Sequence, residues 1–77
     1  MHSDNDAVIQ SQNLYKVALE DWIAAIRQEE ELASSTRSIA QVDRWEQAHY
    51  REDGARTRAK AAKKEFEAAL RSKYFQF

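Results

Sequence analysis

Between Ala33 and Ser38 the chain reads ASSTRS, a run of small hydroxyl residues with one arginine. Serine and threonine side chains compete with the backbone for its hydrogen bonds, so they favour caps and turns over helix interiors. Ser38 followed three residues later by Gln41 has the spacing of a capping box, with Ser35 and Thr36 as alternative caps. The chain contains no proline and only one glycine, Gly54, so this is the clear break in 77 residues. Two long helices joined here are therefore expected. The reading is one helical-hairpin domain over residues 1–77, with helix 1 at about 5–33, a turn at 34–37 and helix 2 at about 38–74.

Upstream of the turn, apolar residues recur at helical spacing. Val8, Tyr15 and Trp22 lie seven apart; Ser11, Ala18, Ala25 and Leu32 make a second row, and Leu19, Ile26 and Ala33 a third. Ile9 and Ile23 widen the stripe beyond what one neighbouring helix needs. Asp4 or Asp6 is expected to cap the helix start, where negative charge suits the helix dipole.

Downstream, a three-four spacing runs through Trp45, Ala48, Glu52, Ala55, Ala59, Ala62, Phe66, Ala69 and Lys73, and Ile39 and Val42 extend it toward the turn. This is the period of a left-handed coiled coil, imperfect only at the two charged positions. Gly54 is the weak point, costing about 1 kcal/mol relative to alanine in a helix interior. Because the heptad phase survives across it, a continuous, bent helix is expected, the alternative being a third helix capped by Asp53.

Charge supports the pairing. Residues 1–33 carry seven acids against Lys16 and Arg27, whereas residues 34–77 carry six acids and ten bases. An acidic helix and a basic helix suit one another side by side. If Ala33 faces Ser38, counting outward sets Val8 near Lys63 and Ala62, Tyr15 near Ala55 and Ala59, and Trp22 within a turn of Ala48 and Trp45. On that count helix 2 has no partner in its own chain beyond about residue 66. Phe66, Leu70, Tyr74, Phe75 and Phe77 would then overhang, and burying such side chains is worth roughly 1.5–3 kcal/mol each. The expectation is that two hairpins associate into a four-helix bundle, each covering the other's surplus. Tyr15, Leu19, Trp22, Ile26, Trp45, Phe66, Leu70 and Tyr74 are the expected core and dimer-interface residues.

Function is narrowed mainly by exclusion. With no cysteine there is no disulfide or thiolate site, which suits a reducing compartment. The N-terminus is acidic where a signal peptide would be basic, and no apolar run approaches the roughly 18 residues of a membrane span. A cytoplasmic location is the expectation. No glycine-rich phosphate loop and no serine–histidine pairing is visible, and the serines are explained by capping; no enzymatic activity and no cofactor are expected.

Two further chemistries can be weighed. Arg56, Arg58, Lys60, Lys63 and Lys64 form part of a basic stretch on helix 2 that a nucleic acid would favour, but Glu52, Asp53, Glu65 and Glu67 interrupt it and the net charge is -1. Glu46-Gln47-Ala48-His49 has the Glu-x-x-His spacing of di-iron bundles, yet Trp45 and Ala48 take the inward positions and push Glu46 and His49 outward. Glu20 lies opposite the apolar stripe, and Glu29, by the count above, faces about residue 42, two turns from His49. His2 is a lone terminal histidine. No metal site is expected. The leading reading is a homodimeric helical protein–protein interaction module, with a nucleic-acid-binding hairpin as runner-up and a metal-binding four-helix bundle as a weaker alternative.

Overall fold

In the computed structural model, which describes residues 4–75 and the side chains from Asp6 onward, the chain is an all-α antiparallel hairpin. Helix α1 spans Asp4–Ala33 and helix α2 spans Ile39–Tyr74, and they pack along their length in a rod 56 Å long. A 36-residue helix rising about 1.5 Å per residue accounts for that length by itself. Asp6 lies inside the first turn of α1 rather than at its cap; the residue before Asp4 is outside the described part.

The turn is built by the hydroxyl residues. Ser34 Oγ donates to the Glu30 carbonyl at 3.0 Å, which also accepts from Ser34 N–H at 3.3 Å. Ser38 caps α2 in an extended conformation (φ -146°, ψ 163°), its Oγ accepting from Gln41 N–H at 3.2 Å. The reciprocal half of the capping box is displaced by one residue: the Gln41 side-chain oxygen accepts from Arg37 N–H at 2.7 Å, not from the cap itself. At the other end of α2, Arg71 and Lys73 face the negative pole of the dipole.

Helix α2 runs unbroken through Gly54, and no third helix begins at Asp53. The backbone hydrogen bonds of a long, packed helix outweigh the local cost of one glycine. The helices meet on small residues: Ala48, Ala55 and Ala59 are 2% exposed, Ala25 6% and Ser11 9%. Ser11 Oγ donates to the Val8 carbonyl at 3.1 Å, so its burial leaves no unmet polar group. The alanine seam expected at Ala55 and Ala59 is thus part of the buried core. Among the described residues no large side chain is fully buried.

The register corrects the expected count. Glu29 stands opposite His49 rather than residue 42; Tyr15 lines a groove with Ala59, as expected, but its ring meets Phe66, with centroids 6.0 Å apart. Trp22 reaches Glu52 and Gln28 reaches Arg51. The displacement at Glu29 is one heptad. It arises because the first turns of α2 project past the end of α1, where Val42 and Trp45 line a groove with Ala33 and Thr36. The surplus of α2 therefore lies at the turn, where Ile39 is 84% exposed, and not beyond residue 66. Phe66 and Leu70 are half-buried in the hairpin itself, while Tyr74 and Phe75 remain exposed at the tail. Phe77 lies outside the described residues.

Candidate functional site

The two long edges of the hairpin differ. On one edge Tyr15, Leu19, Trp22 and Ala59 line a groove with Lys60 and Lys63, and the groove of Ala33, Val42 and Trp45 lies further toward the turn. Leu19 and Ile26, seven residues apart, share a row on this edge of α1. Tyr15, Leu19, Trp22 and Trp45 are half-buried, while Ile23 and Ile26 are 48% and 41% exposed. In the middle of the opposite edge lie Asp21, Ala24, Gln28, Arg51 and Arg58, with Arg51 donating to the Gln28 side-chain oxygen at 2.6 Å.

Among the residues expected at an interface, the structure thus gathers Tyr15, Leu19, Trp22, Ile26 and Trp45 on one flank, and Phe66 joins through Tyr15. Tyr74 is set apart at the tail, with Lys73 Nζ 5.0 Å from its ring centre. Arg56, Arg58, Lys60, Lys63 and Lys64 are all exposed; Arg56, Lys60, Lys63 and Lys64 share one face of α2 by their spacing, and Arg58 lies off it. Lys60 and Lys63 border the aromatic groove, Arg58 lies on the opposite edge, Lys64 groups with Glu67 and Arg71, and Arg56 pairs with Asp53.

Between the two tryptophans lies a polar cluster that sequence reasoning separated. Trp22 Nε1–H donates to Glu52 Oε1 at 2.8 Å. His49 Nδ1 lies 3.2 Å from Glu29 Oε1, and the imidazole stacks on Trp45 with centroids 6.1 Å apart and an interplanar angle of 23°. The expected two-turn gap between Glu29 and His49 does not exist; the heptad displacement of the register closes it. The signal available in the sequence was the three-residue spacing of His49 and Glu52, which places both on one face of α2. Glu46, the partner weighed for His49, is exposed and takes no part in this cluster.

No protein-family model, curated protein or solved structure matches this chain. Among the described residues no helix is long and apolar enough to cross a membrane.

Proposed function

We propose that this chain is a non-enzymatic helical module that works through protein–protein contact, and that its aromatic flank pairs with the same flank of a second copy in a four-helix bundle. The observation that carries this reading is the quality of the core: among the described residues only alanines and one serine are buried, and every large apolar side chain keeps solvent exposure. A domain this short buries little surface, and oligomerisation is a common way to stabilise it. A standard interface takes about 800 Å² from each partner, a modest share of the hairpin's 6203 Å². One flank of a rod 56 Å long is large enough to supply it.

Charge favours the same partner. A two-fold axis that sets α1 of one copy against α2 of the other brings an acidic helix to a basic one. The absence of cysteine suits work in the reducing cytoplasm, which belongs to the same proposal.

Sedimentation equilibrium tests the reading. The chain is expected to run as a dimer. Ile23→Lys combined with Ile26→Lys is expected to give monomers with helicity retained, since both side chains are exposed in the single hairpin. A well-folded monomer at high concentration overturns the proposal. If that monomer is also retained on RNA or DNA at low salt and released as salt rises, the basic residues of α2 carry the function instead.

A further inference from the structure

The polar cluster between Trp22 and Trp45 has the make-up of a metal site. Glu29 of α1 and His49 and Glu52 of α2 each offer one ligand atom, and these atoms lie within 4.8 Å of one another. We propose that Glu29, His49 and Glu52 bind a divalent first-row transition cation of the zinc type, which ties the two helices together midway along the aromatic flank.

Charge is the first support. Two carboxylates converge here, yet among the described residues neither has a lysine or arginine in ion-pairing range; the ion pairs formed are His49–Glu29 and Arg56–Asp53. Glu52 receives only an indole N–H, and Glu29 only the imidazole. A dication is the partner this arrangement lacks.

Geometry is the second. Zinc bonds to imidazole nitrogen and carboxylate oxygen at about 2.0–2.2 Å, so neighbouring ligands in a tetrahedron stand about 3.3 Å apart. The 3.2 Å between His49 Nδ1 and Glu29 Oε1 already matches one such edge. Glu52, three residues after His49 on the same helix face, closes the remaining gap by side-chain rotation.

Support around the ligands is the third. Trp22 Nε1–H donates to one oxygen of the Glu52 carboxylate, leaving the other for a cation, and the Trp45 ring stacks with the imidazole. Outer contacts of this kind orient metal ligands and are felt in affinity. The side chains of His49 and Glu29 are 48% and 25% exposed, leaving entry from solvent and room for water to complete the coordination. One imidazole with two carboxylates suits zinc and its neighbours, whereas calcium takes six to eight oxygens and magnesium keeps its waters.

All three ligands come from one chain, so the site does not depend on dimerisation. The test uses the tag-free chain carrying His2→Ala, which removes the other histidine. Zinc titrated calorimetrically is expected to saturate at one ion per chain and to raise the thermal midpoint. Cobalt(II) is expected to quench the fluorescence of Trp22 and Trp45. His49→Ala should abolish binding, and Glu29→Gln and Glu52→Gln should each weaken it at least tenfold. Trp22→Phe, which keeps all three ligands, should weaken it about tenfold. Glu46→Gln should change nothing. Circular dichroism confirms that each variant folds, and sedimentation on the same samples reads dimerisation separately. Absence of saturable zinc binding, or binding equally strong in folded His49→Ala, overturns the proposal and leaves an ordinary histidine–glutamate hydrogen bond.

Discussion

The edge that carries Trp22 and Trp45 and the edge that carries Arg51 and Arg58 flank the same alanine seam on the same two helices, yet they have different relations to water. On the arginine edge, Arg51 bonds Gln28 across the helices, and Leu14 and Val17 lie on the same side of α1, each 54% exposed. On the tryptophan edge, rings and aliphatic side chains stop at half burial beside exposed Ile23 and Ile26. Both edges thus keep aliphatic surface in contact with water, and what sets the tryptophan edge apart is its half-buried rings.

Substitutions can break or sharpen this contrast. The largest effect is expected at the seam common to both edges. Ala55, 2% exposed, has no room to grow, and Ala55→Leu should force the helices apart at a cost of about 3 kcal/mol, read from urea unfolding. Trp45→Ala should cost about 2 kcal/mol, less than a fully buried tryptophan because the ring is only half covered. Its measurement belongs at fixed protein concentration, since an associating chain is more stable when concentrated. A cost as small as that of Arg51→Ala would erase the distinction between the edges.

Gly54 provides a test of opposite sign. A Cβ there would meet only a nitrogen of the flexible Arg58 guanidinium, at 3.4 Å, so alanine fits without backbone change. Gly54→Ala should stabilise the chain by about 1 kcal/mol, visible as a raised unfolding midpoint. The smallest effect belongs to Arg51→Ala. Losing its exposed bond to Gln28 should change stability by less than about 0.5 kcal/mol.

Much of the architecture was legible. Ser38 and Gln41 announced the start of α2, and the structure places Ser38 at its cap. The three-four spacing of Ala48, Ala55 and Ala59 announced the seam, and all three are buried. The continuity of α2 was legible because the phase persists on both sides of Gly54. The pairing of Glu29 with His49 was not, nor the bond from Trp22 to Glu52. Both depend on which turn of α1 stands beside which turn of α2, and neither residue's local neighbours carry that information.

By itself the sequence determined that two helices form, where they reverse and which residues face inward, because hydroxyl capping and apolar periodicity act over one or two turns of chain. Only the tertiary structure decided the register. Sliding one heptad helix along another by seven residues returns every stripe to the same face, so periodicity assigns both alignments the same pattern. The degeneracy is lifted by the shape of the 34–38 turn and by side chains such as Tyr15 and Phe66 that must meet across the interface. That choice brought Glu29, His49 and Glu52 within reach of one another.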